Sequence, residues 1–185
     1  MSRAYRIRVA ETVRQHVVVE DGVECGLEIL ALLPPEEQSQ LLAEELSRRG
    51  FEVLDGVAKR TESTGVVVSV DLERARVRVE KTIEREVEKT AQRTFTSERN
   101  TEATEDHVRE VRAAAEREIE RERERTRQEA TSDIEARLGD LRAELDEIAV
   151  RVTQGALRKK ASRMGEVESV VEDPATGSLT IRVRV

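Results

Sequence analysis

The sequence predicts an α+β protein: an antiparallel sheet with packed helices, a long helical-hairpin (antiparallel coiled-coil) insertion, and a C-terminal β-hairpin that completes the sheet. Three observations lead there. Residues 1–96 carry several alternating apolar segments separated by turn residues. Residues 98–164 are charged and helix-like, with an apolar seam. The last stretch, "RMGEVESVVEDPATGSLTIRVRV", returns to alternation, with Leu179, Ile181, Val183 and Val185 on one face and Thr180, Arg182 and Arg184 on the other. The expected organisation is a platform over 1–96, an arm over 97–164 and a closing hairpin over 165–185.

Within the platform, Tyr5-Arg6-Ile7-Arg8-Val9 alternates and His16-Val17-Val18-Val19 follows, which predicts two strands or one long broken strand. The segment "GLEILALLPPEEQSQLLAEELSRRG" predicts a short apolar helix before Pro34-Pro35. A second helix then carries Leu41, Leu42 and Leu46 and stops at Gly50, with Arg48 and Arg49 suited to its last turn. Beyond Gly50, "FEVL", "VAKRTE", "GVVVSVDL" and "ARVRVEKTIEREVEK" predict four strands, divided by Asp55-Gly56, Thr64-Gly65 and residues 71–74. The fourth is long and sets Val77, Val79, Ile83 and Val87 on one face. Helices covering one side of such a sheet bury its apolar face.

Residues 47–72 and 162–185 share an order: a helix end, Gly, a strand, an acidic stretch, Thr-Gly and a second apolar strand. The repeat is weak, because Gly50 and Gly65 are further apart than Gly165 and Gly177. In the second copy, residues 173–177 (Asp-Pro-Ala-Thr-Gly) form a strong turn signal.

In the arm, Ile134, Leu138, Leu141, Leu145, Ile148 and Val152 step by four and three, the spacing of a heptad seam. Val108, Val111, Ala115 and Ile119 begin another seam, which fades into "EREIERERERTRQE". There, (i, i+3) Glu–Arg pairs attract while (i, i+4) Arg–Arg pairs repel, each by ~0.2–0.5 kcal/mol, so the two nearly cancel. Ser132 followed by Glu135 is a capping-box pattern that would start a new helix. A fold at 131–132 sets Ile119 opposite Leu145, Ala115 opposite Ile148, Val111 opposite Val152 and Val108 opposite Ala156. The alternative is one uninterrupted helix whose seam pairs with another subunit.

Composition bounds the function. With 37% hydrophobic and 38% charged residues, a chain of 185 residues must present much of itself as solvated surface. A net charge of -7, two Phe, one Tyr and no Trp argue against a nucleic-acid partner, which demands a basic footprint and stacking platforms. The start "MSRAYRIRV" has no apolar signal core, and the run Leu27–Leu33 contains Glu28 and is too short to span a bilayer. No membrane association and a cytoplasmic location are expected.

Candidate chemistry is sparse. Cys25 lies before an apolar segment with no His in a nucleophile arrangement, so it is expected to pack as a small hydrophobe. His16 suits a strand edge and His107 a solvated helix face. Carboxylates are dispersed through Glu/Arg runs, and no Cys/His cluster or phosphate-cradling glycine loop is present. No catalytic residue, metal or cofactor is expected.

The start "MSRAYRIRV", the segments "EDGV", "LEIL" and "LLAEELSRRGFE", the helical arm and the end "LRKKASRMGEVESVVEDPATGSLTIRVRV" together resemble a small accessory domain of the bacterial FtsH ternary systems. Members of these systems are encoded beside AAA+ ATPases of the FtsH and MoxR kinds and von Willebrand A proteins, and are proposed to act in conflict or defence. The resemblance implies an accessory or adaptor role with an AAA+ ATPase or von Willebrand A protein as partner. It transfers no catalytic residue. A prefoldin-like chaperone or a self-assembling coiled-coil scaffold, and so a homo-oligomer, is the other class the pattern allows.

Overall fold

The computed structural model describes residues 5–97, 103–173 and 178–184. Its elements are β1 (Tyr5–Gly26), α1 (Pro35–Arg48), β2 (Glu52–Leu54), β3 (Val57–Thr61), β4 (Val67–Asp71), β5 (Arg76–Ser97), α2 (Glu105–Met164), β6 (Glu166–Asp173) and β7 (Ser178–Arg184). The α+β class holds, with a five-stranded sheet in the order β1-β5-β4-β3-β2 and a separate two-stranded sheet, β6-β7. Two compact units divide the chain: residues 1–21 with 82–132, and residues 22–81 with 133–185. They are called unit 1 and unit 2 below.

Unit 2 holds the larger core. Antiparallel pairing sets Val68 opposite Val79 and Val70 opposite both Val77 and Ala58. All five are at most 1% exposed. Leu42 and Leu46 of α1 and Ile134, Leu141, Leu145, Ile148 and Val152 of α2 belong to the same core. Each such side chain contributes ~1.5–3 kcal/mol relative to leaving it in water. Helix α1 begins with Pro35 in its first turn, where the missing N–H costs nothing, and carries Glu36 and Glu37 beside it. It ends as expected at Gly50, whose φ of +81° lets Phe51 N–H donate to Leu46 O and Gly50 N–H to Ser47 O, a Schellman cap. Asp55 and Gly56, both at positive φ, make the tight β2–β3 turn.

Unit 1 is a ribbon of β1 and β5 under one stretch of α2. Its cross-strand partners run in opposite directions, Thr12 with Thr90, Arg14 with Glu88 and His16 with Glu86. Two small apolar clusters hold it: Val17, Val19 and Val87 with Ile119 and Ala130, and Ile7 and Val9 with Val111. Between them, cations on β5 reach acids on α2: Arg85 to Glu129 at 2.8 Å, Lys89 to Glu122 at 3.2 Å, and Arg93 to Glu110. Along this face of β5 a cation recurs every fourth residue, with Val87, Ala91 and Phe95 interleaved. In unit 2 the same strand face carries Lys81, which pairs with Asp133 and donates to Thr64 O at 2.8 Å.

Three expectations are corrected. Residues 27–33 form no helix: seven residues between Gly26 and Pro34 are too few to nucleate one, and the residue before a proline is disfavoured in helical conformation. Leu27 N–H donates instead to Ala75 O at 2.7 Å. Of the two readings of the start, two strands or one long broken strand, the structure has a single strand over Tyr5–Gly26. The helical hairpin with its antiparallel coiled coil is replaced by one continuous 60-residue helix. No Gly or Pro interrupts the chain near 131–132, and Thr131 and Asp133, the polar residues on either side of Ser132, have other partners. Thr131 Oγ1 bonds Asp21 and the carbonyl of Arg127 one turn back, as inside a helix, and Asp133 bonds Lys81. Finally, the C-terminal hairpin does not complete the five-stranded sheet, whose edges are β1 and β2. Strands β6 and β7 pair with each other, Glu166 opposite Arg184 through Asp173 opposite Ser178. Local pairing carries the smaller loop-closure cost. The turn expected at residues 174–177 and the position of Val185 lie outside the described residues.

Candidate functional site

Eight of the ten seam positions are buried and two half-buried, in cores shared with strands and, in unit 2, with α1, and not in a seam with a facing arm of the same helix. Ile134, Leu141, Leu145, Ile148 and Val152 belong to the core of unit 2, with Leu138 half-buried on it. Ile119 belongs to one cluster of unit 1, Val111 and the half-buried Val108 to the other, and Ala115 is fully buried. One apolar stripe on α2 therefore does the work the sequence divides between two facing helices.

On unit 2, the edge of that stripe opens into a groove of about 880 Å³. It is lined by Leu138, Leu141, Leu145 and Ala149 of α2, by the non-helical segment Cys25–Leu30, and by Val79 of β5 and Leu179 of β7. Glu28, Arg142 and Asp146 stand on its rim. Leu30 is 62% and Val150 46% exposed, so apolar surface faces water here. The non-helical segment is held by Gln38, whose Nε2 donates to Leu30 O at 2.8 Å while its Oε1 accepts from Leu32 N–H at 3.3 Å.

Beside the core of unit 2 lies an ion network that composition alone does not reveal. Arg60 on β3 donates twice to Glu144 of α2, at 2.7 and 2.8 Å, and also to Glu62 at 3.0 Å and to Arg49 O at 2.9 Å. Its guanidinium lies 4.3 Å from the Phe51 ring centroid, in cation–π geometry. Arg137 reaches both Glu62 and Glu144 at 3.2 Å, and its Nε is buried without a hydrogen-bond partner. The Arg60 hydrogen bonds hold the Glu144 carboxyl below the usual range, with burial opposing, and Glu144 in turn raises Arg60.

The nucleophile and base candidates do not form a constellation. Cys25, expected to pack as a small hydrophobe, is instead exposed at the groove, whose lining contains no His. His16 belongs to unit 1 and faces Glu86 at 2.9 Å. His107 stacks on Phe95 with ring centroids 4.0 Å apart. Among the described residues, no group of three or more His, Cys, Asp or Glu side chains could hold a metal ion.

A family model described as FtsH ternary system domain X5 matches residues 1–185, the whole chain. The chain belongs to this family. No curated protein and no solved structure matches it. Membership in the X5 family ties the chain to a multi-component FtsH ternary system and so to protein partners. For an X5 domain with this surface, the groove is the feature suited to receiving another chain: an apolar lining for burial and a charged rim for orientation. Sequence reasoning missed it because its lining comes from four separate segments. The one signal was Leu27–Leu33, an apolar run too short for a helix. Among the described residues, no helix is long and apolar enough to cross a membrane.

Proposed function

We propose that the chain is a non-catalytic accessory or adaptor protein of a bacterial AAA+ ATPase-associated system, of the kind proposed to act in conflict or defence. It works in the cytoplasm through protein–protein contacts, with an AAA+ ATPase or a von Willebrand A protein as partner. The observation that carries this reading is the exposed apolar groove of unit 2, in a chain whose family is named for an FtsH ternary system. Apolar surface of this kind on a soluble domain marks an interaction site, and an apolar segment of the partner would bury Leu30 and Val150. Co-purification of the tagged chain with the ATPase and von Willebrand A proteins encoded beside it tests the proposal. The wild type is expected to retain one of them, and Val150→Asp, at an exposed helix position, to release it while circular dichroism stays unchanged. Retention of neither protein by the wild type would end this reading. Of the second class, the prefoldin-like outline loses its basis with the continuous α2, while self-association retains one in the long strands of unit 1.

A further inference from the structure

Strand β1 is an edge of the five-stranded sheet along all its 22 residues. Most edges are short, bulged or guarded, because a long row of free N–H and C=O groups is a template for another strand. Over residues 6–20, within unit 1, we infer that this edge pairs antiparallel with β1 of a second copy of the chain, around a two-fold axis at Val13. The inference goes beyond the accessory role and does not depend on the groove.

The register follows from side-chain pattern. Opposed residues in an antiparallel pair share a face, so a two-fold axis at Val13 sets Ile7 against the second copy's Val19, Val9 against Val17 and Val13 against Val13 on the helix-facing side. Ile7, Val9, Val17 and Val19 are all buried in the chain itself, and the match carries the apolar row across the junction. Glu11 meets Gln15, a pair that can hydrogen-bond. On the outer face Arg6 meets Glu20, Thr12 meets Arg14 and Ala10 meets His16, with no like charges opposed. Moving the axis one residue either way destroys this. At Thr12, Glu11 lies against Val13 and Val9 against Gln15. At Arg14, Glu11 lies against Val17 and the two Arg14 side chains face each other. The outer edge of β5 over 82–97 has no such solution: an axis at Thr90 sets Val87 against Arg93 and Arg85 against Phe95.

The charge distribution also selects a second copy over an arbitrary strand. Strand β1 is basic at its start, Arg6 and Arg8, and acidic toward its end, Glu20 and Glu24, so an antiparallel copy brings opposite charges together. A two-fold pairing is self-complementary and closed, so the stretch 6–20 is used up and does not extend a filament.

The test is a charge exchange read by sedimentation equilibrium across a concentration series of the full chain. The wild type is expected at twice the 20.9 kDa chain mass. Arg6→Glu and Glu20→Arg each create two repulsive cross-strand pairs per dimer, and each alone should weaken dimerisation by roughly ten-fold or more. Mixed together, the two variants restore both pairs in trans, and the mixture should recover the wild-type dimer. Circular dichroism reports whether each variant is folded, and the mixing result is independent of any effect within one chain. A wild type that stays monomeric, a dimer indifferent to both substitutions, or a mixture no tighter than its parts overturns the inference.

Discussion

Replacing Glu144 by Gln tests the network that joins β3 to α2 in unit 2. The substitution keeps the shape and removes the charge that accepts two hydrogen bonds from Arg60 and one from Arg137. Two guanidiniums then share Glu62. Fully exposed ion pairs contribute ~0–1 kcal/mol, whereas breaking a buried pair costs ~3–5 kcal/mol. The side chains of Arg60, Glu144, Glu62 and Arg137 are 18–22% exposed, which places this site between those limits, at about 2 kcal/mol. Urea unfolding of wild type, Glu144→Gln, Arg60→Met and the double variant reads the cost and the coupling. The double variant should lose less than the sum of the singles, since Arg60→Met removes the charge that Glu144→Gln strands. The pH dependence has a definite sign. Glu144 has a depressed folded pKa, so its contribution is complete above the unfolded carboxyl value of roughly 4.3 and is lost as pH falls through the lower folded value. Glu144→Gln should remove that part of the acid destabilisation. A cost below about 0.5 kcal/mol, or strictly additive singles, would refute the reasoning.

Three further outcomes are expected. Leu141→Asp places a carboxylate at a position 1% exposed in the core of unit 2 and should cost about 3 kcal/mol or more, seen as a large drop in melting temperature. Gly165→Ala should disrupt the start of the β6–β7 hairpin, because a Cβ there would lie 2.1 Å from the carbonyl oxygen of Arg184; loss of amide-exchange protection in β6 and β7, with β3 and β4 still protected, is the diagnostic pattern. Cys25→Ser should leave partner retention and stability within about 0.5 kcal/mol of wild type, as for an exposed surface change; abolished function in a folded protein would return Cys25 to consideration as a nucleophile.

What could be read from the sequence was local. Helix α1 with its stop at Gly50, and β3 to β5 with the inward row Val77, Val79, Ile83 and Val87, follow from periodicity and turn residues, and the structure places them within a few residues of expectation except at the end of β5, which runs eight residues further, to Ser97. The seam of α2 was equally visible, yet its covering was not. A period of three and four says which face of a helix is apolar, and a second helix or a sheet satisfies it equally. The expected repeat shows the same limit. Gly50 ends a helix at positive φ, whereas Gly165 makes room for the backbone of β7, so similar sequence serves two geometries. The Arg60 network and the groove depend on residues far apart in the chain, which no window of sequence brings together. The cations at 85, 89 and 93 were legible in principle. Their spacing on the inward face of a strand, interleaved with Val87, Ala91 and Phe95, is a signal for acids on a covering helix.

That row also fixes how α2 can move along β5 in unit 1. The cations are evenly spaced on the strand, but Glu129, Glu122 and Glu110 are unevenly spaced on the helix. Sliding the helix by four residues one way brings Arg125 to Arg85, although Glu118 and Asp106 would still meet Lys89 and Arg93. Sliding it the other way offers Thr126 to Lys89 and Ala114 to Arg93. A one-turn ratchet, available where teeth repeat at the pitch of the helix, gives up at least one of the three pairs in either direction. Of these registers only the observed one satisfies all three cations of unit 1, as a key with irregular cuts fits fully at one insertion depth.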